Sequence, residues 1–206
     1  MTQVYGSPYA NNISRMHNSE VVGLAKNRFT DAETQMAIAK HWYRLGKEYL
    51  AANSNLTEEA ARELWSHRGY VLKATMLATG NIELTEQEYF DTYRKYFKNN
   101  HRSIWRMQQA FLARPYWASN NGPSKTPGAL LEEIYADLPE EEATRTYTLR
   151  RFVDHPNCTL DLALRLGTIK TPESSRRYYT EDFENLRNKA MLKVAEITKR
   201  ESAVSR

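Results

Sequence analysis

The side chains that most often carry catalysis or bind metals are sparse in this sequence. It has one cysteine, Cys158, and five histidines. No histidine has the spacing of a metal-binding helix such as H-E-x-x-H, and neither a glycine-rich phosphate loop nor a G-x-S-x-G turn occurs. We therefore expect no catalytic residue, no metal ion and no cofactor. The histidines are His17, His41, His67, His101 and His155.

His155 and Cys158 are the one pair of reactive side chains that stand close together in the sequence. Such a pair could bind a metal ion or form an imidazole–thiol pair. They belong to a turn, HPNCT, in which a histidine can cap a helix end and a thiol can pack as a small apolar group. The structural role is the one we expect.

Basic and aromatic residues suggest a second kind of chemistry, the binding of a macromolecule. Residues 91–118 carry six bases against one carboxylate and residues 143–178 carry seven against three, whereas residues 131–142 carry six carboxylates and no base. Arginine contacts phosphates, and tyrosine or tryptophan stacks on bases. The candidate binding residues are Arg94, Lys95, Lys98, Arg102, Arg106, Arg114, Tyr116, Trp117, Arg145, Arg150 and Arg151.

These residues also fit a simpler interpretation, in which they form solvated helix faces. Arg102 and Arg106 share a helical face, but the three arginines of 145–151 do not, which weakens a single basic groove. Tyr116 and Trp117 lie in an irregular loop, residues 115–128, and could either form an interface hot spot or fold back onto the core.

The candidate binding residues must be positioned by helices, and a sequence pattern recurs where these helices begin. In this pattern the end of one helix and a polar turn precede a threonine. It reads LAKNRFTDAE, LAANSNLTEEAARELW, LATGNIELTEQE and FVDHPNCTLDLA, with Thr30, Thr57, Thr85 and Thr159 opening the next helix. The first two spacings are 57 − 30 = 27 and 85 − 57 = 28 residues. Self-similarity at such a period indicates a repeat architecture.

Helical periodicity and capping residues predict a helix in nearly every segment between these turns. Ser19 is expected to cap the first helix, Thr30 and Thr85 to open capping boxes, and Thr126-Pro127 to fill N-cap and N1 positions. Leu45, Tyr49 and Leu50 are expected to form the apolar face of the third helix. The predicted helices span 19–27, 30–41, 42–52, 57–67, 70–79, 85–98, 101–114, 126–138, 139–154, 160–166 and 180–199.

Length and charge limit the classes of protein that remain. With 206 residues and a net charge of +4, the chain is mildly basic, which permits nucleic-acid binding without requiring it. No apolar run is long enough to span a membrane, and a lone cysteine suits the reducing cytoplasm. We expect a flexible N-terminal arm at 1–18, one helical-repeat domain at 19–200 and a frayed tail at 201–206.

Residues 152–166, FVDHPNCTLDLALRL, resemble a unit of the leucine-rich-repeat variant family, and residues 50–65 follow the same pattern without the proline. The resemblance implies an α-solenoid of stacked short helices, similar in build to HEAT-like repeats. Some family members carry a cysteine cluster for an iron–sulfur centre, which this chain cannot supply. The spacing also widens after Thr85, to 126 − 85 = 41 and 159 − 126 = 33 residues.

The sequence thus predicts an all-α protein, a right-handed α-solenoid of short antiparallel helix pairs with an irregular second half. We expect a non-enzymatic, cytoplasmic protein that binds another protein through its extended surface and does not bind membranes. A small helical protein of this kind would suit a phage or mobile-element gene. Nucleic-acid binding through residues 91–118 and 143–178 is the alternative. A HEAT-like DNA glycosylase would need an isolated carboxylate among aromatics, for which Asp91 and Asp154 are the candidates.

Overall fold

The computed structural model describes residues 7–98, 104–112, 125–143, 145–171 and 180–204, and every regular element in these ranges is helical. The prediction of an all-α protein is therefore confirmed. A 3-10 helix, Ala10–Arg15, comes first, and a π-helical turn, Gln108–Leu112, follows α7. The α-helices are α1 Asn18–Lys26, α2 Ala32–Lys40, α3 Arg44–Ala51, α4 Glu58–Ser66, α5 Tyr70–Thr79, α6 Glu86–Tyr96, α7 Ile104–Met107, α8 Gly128–Ala136, α9 Glu140–Ala143, α10 Thr146–Val153, α11 Leu160–Gly167 and α12 Thr180–Val204.

Side-chain caps begin several of these helices where the sequence predicts them. The hydroxyls of Thr57, Thr85 and Thr159 each accept a hydrogen bond from the backbone N–H three residues later. Glu88 completes the capping box of α6 by accepting from the Thr85 N–H at 2.7 Å. Each cap satisfies a backbone donor that the first helical turn leaves unpaired.

Three other predicted helix starts are wrong by one or two residues. The N-cap of α1 is His17, not Ser19, and Glu20 closes its capping box. The N-cap of α2 is Asp31, because the hydroxyl of Thr30 instead donates to the Leu24 carbonyl at 2.6 Å. The helix α8 starts at Gly128, so Pro127 takes the N-cap place predicted for Thr126.

Contacts between elements divide the chain into two compact units. In the described chain, the N-terminal unit contains residues 7–84 and 105–112, and the C-terminal unit contains residues 85–98, 104, 125–143, 145–171 and 180–204. The predicted single domain at 19–200 stays a prediction.

Alternate helices pack together in the N-terminal unit. Helix α3 contacts both α1 and α5, and α2 contacts both the 3-10 helix and α4. Helix starts recur at a constant interval: the N-caps of α1, α3 and α5 are His17, Tyr43 and Gly69 (43 − 17 = 26 and 69 − 43 = 26). The core between these helices is apolar, and its largest fully buried members include Ile38, Leu50, Leu64 and Met76.

Asparagine side chains join successive turns of this unit. The amide nitrogen of Asn53 donates to the carbonyls of Ala25 and Asn27 at 2.9 and 3.0 Å. The amide nitrogen of Asn81 donates in the same way to the carbonyls of Ala51 and Asn53, at 2.9 and 2.8 Å. Each asparagine therefore bonds to carbonyls at or just after the end of the preceding helix of the same row, where intrahelical donors run out.

In the C-terminal unit, α12 packs against α10 and α11, and α9 and α11 each contact α10. Phe152, Phe183 and Leu162 are among its fully buried side chains. An asparagine again joins two turns, since Asn157 donates to the Thr126 carbonyl at 2.9 Å. The position of Gly128 is equally tight, because an added Cβ would lie 2.8 Å from the Asn157 carbonyl oxygen.

The chain ends also differ from expectation where they are described. The predicted flexible arm is attached from Ser7 onward: its N–H donates to Glu33 at 2.7 Å and its hydroxyl donates to Asp31 at 2.9 Å. Helix α12 continues to Val204 and so includes most of the predicted frayed tail. Within the described ranges, no helix has both the length and the hydropathy that a membrane crossing requires.

Candidate functional site

The predicted basic residues of α6 are bound to carboxylates of α8. The guanidinium of Arg94 makes a two-pronged contact with Glu133, at 2.7 and 3.0 Å, and Lys98 lies 3.2 Å from Glu133 and 3.0 Å from Asp137. The two cations lower the pKa of Glu133, chiefly through the hydrogen bond from Arg94. The hydroxyl of Tyr93 also donates to Asp137, at 3.2 Å. This cluster joins α6 to α8 and leaves little charge for a phosphate.

The predicted basic residues near α10 are similarly engaged. Arg145 pairs with Glu142 at 2.6 Å, and Arg150 lies 3.7 Å from Asp182. Arg151 sits over the ring of Tyr147, with its guanidinium carbon 4.4 Å from the ring centroid. The acidic segment that separates the two basic stretches in the sequence thus supplies partners to both of them, through Glu133, Asp137 and Glu142.

The remaining predicted binding residues are less informative. Lys95 lies over the ring of Tyr96, 5.4 Å from its centroid, and Arg106 is half-buried in the N-terminal unit. Four others lie outside the described residues: Arg102, Arg114, Tyr116 and Trp117.

The two carboxylates considered for a glycosylase are both exposed and engaged. Asp91 accepts a hydrogen bond from Gln87 at 2.9 Å, and Asp154 pairs with Lys189. Neither fits an isolated carboxylate within an aromatic groove.

His155 and Cys158 have structural surroundings. The Nδ1 atom of His155 accepts the Asn157 N–H at 3.1 Å, and both side chains are buried. Burial lowers the pKa of His155 to about 4, with a smaller contribution from the charge of Lys193, and raises the pKa of Cys158 to about 11. At neutral pH the imidazole is uncharged and the thiol is protonated, which disfavours a thiolate–imidazolium pair.

Two buried lysines of the N-terminal unit serve helix ends. The Lys73 ammonium donates to the Trp65 carbonyl in the last turn of α4. Lys47 lies 3.2 Å from Nε2 of His67, which itself lies 3.1 Å from the Ala39 carbonyl at the end of α2. Burial lowers the pKa of Lys47. A cation at a helix C-terminus is stabilising, which accounts for Lys73, whereas Lys47 reaches the end of α2 only through the ring of His67. The described residues contain no group of three or more His, Cys, Asp or Glu side chains placed to hold a metal ion.

The outward face of α3 is the site that sequence reasoning missed. Leu45 and Tyr49 lie one turn apart on α3 and are 41% and 36% exposed, and Trp42, two residues before the first residue of the helix, is 73% exposed. We call these three side chains the exposed stripe. The prediction that Leu45 and Tyr49 face the core is wrong. The buried side of α3 is instead Gly46, Lys47, Leu50 and Ala51.

Close packing explains why α3 turns this way. The position of Gly46 faces α1 so closely that an added Cβ would lie 2.9 Å from Cγ1 of Val21. A leucine or tyrosine could not occupy position 46 itself without pushing the helices apart. The apolar stripe faces outward, and the ring of Trp42 lies beside those of His41 and Tyr43, at centroid distances of 5.4 and 5.6 Å.

Two cations at and just after the end of α1 lie over aromatic rings, and one of these rings belongs to the stripe. The ammonium of Lys26 lies 4.1 Å from the centroid of the Tyr49 ring, and the guanidinium carbon of Arg28 lies 4.9 Å from that of Phe29. Phe29 is 77% exposed. Within the described part of the chain, neither Lys26 nor Arg28 has a carboxylate at ion-pair distance.

Comparison with known protein families, with curated protein sequences and with solved structures finds no match to this chain.

Proposed function

We propose that the chain is a non-enzymatic α-solenoid that binds another protein through the outward face of α3. The exposed stripe Trp42, Leu45 and Tyr49 is the observation that carries this proposal. Tryptophan and tyrosine are enriched among the residues that dominate binding energy at protein interfaces. An apolar stripe on one helix face also matches the way in which helices and extended segments dock onto helical surfaces.

The packing of alternate helices supports the solenoid part of the proposal. In stacked repeats each unit contacts its neighbours, as α1, α3 and α5 do, and the bonds from Asn53 and Asn81 link turns 26 to 30 residues apart. The bond from Asn157 to Thr126 spans 31 residues and has the same form in the segment that resembles a leucine-rich-repeat variant. Stacking of this kind favours a right-handed array of helix pairs with a less regular second half.

Charge pairing favours a protein over a nucleic acid as the partner. Phosphate binding requires several cations that can exchange counterions for phosphates. Arg94, Lys98, Arg145 and Arg150 already have carboxylate partners. On α3 itself, Arg44 pairs with Glu48 at 2.7 Å, so the face is apolar and close to neutral.

Selection from a random peptide library displayed on phage, against the whole chain, tests this function. We expect peptides with aromatic or aliphatic anchors, whose binding shifts the amide NMR signals of residues 42–49. Replacing Trp42 and Tyr49 together with alanine should weaken binding at least tenfold, as expected for hot-spot side chains. Both side chains are exposed, so the fold should remain intact.

Tyr147→Ala is the matched control, because Tyr147 is an exposed aromatic residue with a cation above its ring in the other unit. It should leave peptide binding unchanged. Labelled single- and double-stranded oligonucleotides, titrated across salt concentrations, form the second arm. If oligonucleotides bind below micromolar concentration with a steep salt dependence and no peptide is selected, the protein-binding proposal is wrong.

A further inference from the structure

The solvent-facing surface of α1 has no side chain at Gly23, whereas that of α3 carries the ring of Tyr49. Gly23 stands six residues after the N-cap His17, and Tyr49 stands six residues after the N-cap Tyr43. The two residues therefore occupy equivalent places on two helices that pack side by side. A Cβ added at Gly23 would meet no atom within 4 Å. Lys26, three residues after Gly23 on the same helix, lies over the Tyr49 ring, and we call the low surface from Gly23 to Lys26 the shelf.

The end of this shelf is positively charged. Lys26, one turn beyond Gly23, lies over the Tyr49 ring, and Arg28 follows in the next turn. The nearest carboxylate on α1, Glu20, is engaged at the opposite end of the helix, where it accepts the His17 N–H at 2.8 Å. Glu48 on α3 is held by Arg44. In the described residues neither cation has an ion-pair partner, and Asp31, three residues after Arg28, accepts instead from Ser7 and Thr34.

Apolar and cationic groups are thus combined at one place. An apolar side chain of a partner would gain contact with Tyr49 and Leu45 above Gly23. A carboxylate next to it would meet Lys26 and Arg28, which pay little for desolvation because both already lie against aromatic rings. The two cations are too few to follow the repeated phosphates of a nucleic acid.

Resting on the function proposed above, we propose that the partner is an acidic amphipathic protein segment, whose apolar side chain lies over Gly23 and whose carboxylates meet Lys26 and Arg28. The apolar anchor supplies most of the affinity. The carboxylates select this partner and set its direction along the α1–α3 surface.

Three matched series of synthetic peptides, of about 12 to 15 residues, test this inference. The series share the same apolar positions and differ only in the polar ones, which are Glu, Gln or Lys. We expect the Glu series to bind the whole chain about fivefold to twentyfold more tightly than the Gln series, as two exposed ion pairs allow. The difference should shrink as salt is added.

Reversing the charges of Lys26 and Arg28 tests the inference most directly. Lys26→Glu combined with Arg28→Glu should exchange the preference, so that the Lys series binds best, and a misfolded protein cannot produce such an exchange. Arg151→Glu is the matched control, since Arg151 also lies over an exposed tyrosine ring but in the other unit. It should leave the order of the three series unchanged.

Gly23→Trp tests the shelf itself. A Cβ at Gly23 meets no atom within 4 Å and the position is exposed, so the circular dichroism spectrum should be unchanged while binding of the Glu series falls at least tenfold. Equal binding of all three series, still lost on replacing Trp42 and Tyr49, would overturn this inference and leave the proposed function standing. If no series binds while the selection from the random library still yields peptides that depend on Trp42 and Tyr49, this inference is wrong and the proposed function stands.

Discussion

Polar side chains serve the two units of this molecule in different ways. In the N-terminal unit, buried amides bond to backbone carbonyls, as Asn53 and Asn81 do, and Gln35 bonds to the carbonyls of Thr30 and Asn55 at 2.9 and 3.0 Å. In the C-terminal unit, charged side chains join the helices, as Arg94 and Glu133 do. The N-terminal unit therefore joins its turns chiefly through buried amides, with Lys73 as a buried cation at a helix end, whereas the C-terminal unit adds ion pairs nearer the surface to the amide bond of Asn157.

This difference decides which unit keeps cations for a partner. Because the turns of the N-terminal unit are joined by amides, Lys26 and Arg28 are not needed for packing and lie over exposed rings. In the C-terminal unit the cations are part of the packing and are neutralised where they stand. A high density of arginine in the sequence therefore does not indicate a binding surface by itself.

Replacing Asn53 with alanine should give the largest effect on stability. The side chain is 5% exposed, donates to two carbonyls and accepts the Asn55 N–H at 2.9 Å. Its removal takes the donor from the buried Ala25 carbonyl and breaks the bonds to the Asn27 carbonyl and the Asn55 N–H, and we expect a loss of about 3 kcal/mol, measured by urea unfolding.

Glu133→Gln is the counterpart of this change in the C-terminal unit. It weakens the contacts with Arg94 and Lys98, whose ion pairs lie near the surface. We expect a smaller loss than for Asn53→Ala, and the difference from the unchanged protein should shrink as salt is added. If the Asn53 variant were instead the milder and the more salt-dependent one, the contrast between the units would be wrong.

Lowering the pH should produce the next largest loss of stability, because His155 in the C-terminal unit binds a proton more readily in the unfolded chain. The unfolded chain binds a proton on His155 near pH 6.5, whereas the folded chain binds it only near a pKa of about 4. Between these values the unfolded state holds more protons, so the free energy of unfolding falls as pH falls from 6.5 towards 4. The full loss is about 3 kcal/mol, of which about 2 kcal/mol should appear by pH 5 in urea unfolding.

Asn53 suggests the control for this prediction, because its side-chain oxygen accepts the N–H two residues later just as Nδ1 of His155 does. His155→Asn should keep the turn bond without a titrating group, and stability should then change much less between pH 6.5 and 5. His41 has the same geometry, with its Nδ1 accepting the Tyr43 N–H at 3.3 Å and its pKa lowered by burial. A variant that remained as acid-sensitive as the unchanged protein would show that His155 does not titrate in this range.

Local signals in the sequence predicted the helices well because a cap depends on neighbouring residues. Thr57, Thr85 and Thr159 cap helices through bonds to the third residue beyond them. Where two adjacent residues could cap, the choice depended on contacts from elsewhere. The hydroxyl of Thr30 bonds to Leu24, for example, so that Asp31 takes the cap.

The candidate site could not be predicted in the same way. The pairs that neutralise the predicted basic residues join positions far apart, as Arg94 and Glu133 are at 39 residues. The outward turn of α3 depends on how closely Gly46 approaches Val21, which no periodicity reports. An apolar pattern on a helix gives the direction of a stripe but not whether that stripe is buried.

Glycine-to-alanine changes should produce the smallest effects and still separate the two units. At Gly46 the new Cβ would lie 2.9 Å from Cγ1 of a valine whose branched side chain cannot move aside, and we expect a loss of about 1 kcal/mol. At Gly167 in the C-terminal unit, the nearest atom is the sulfur of Met191, at 2.7 Å. That side chain is flexible and 47% exposed, so Gly167→Ala should cost much less.

Gly23→Ala should instead increase the stability, because the new Cβ meets no atom within 4 Å and alanine favours the helix by up to about 1 kcal/mol. Thermal unfolding of the three variants should rank Gly23→Ala above the unchanged protein and Gly46→Ala lowest. Val21→Ala in the Gly46→Ala background separates packing from helix propensity, since it removes the methyl group that the new Cβ would strike. If Val21→Ala were as costly there as in the unchanged chain, the two sites would be independent, and the close contact of α1 with α3 would not be what turns the Trp42 stripe outward.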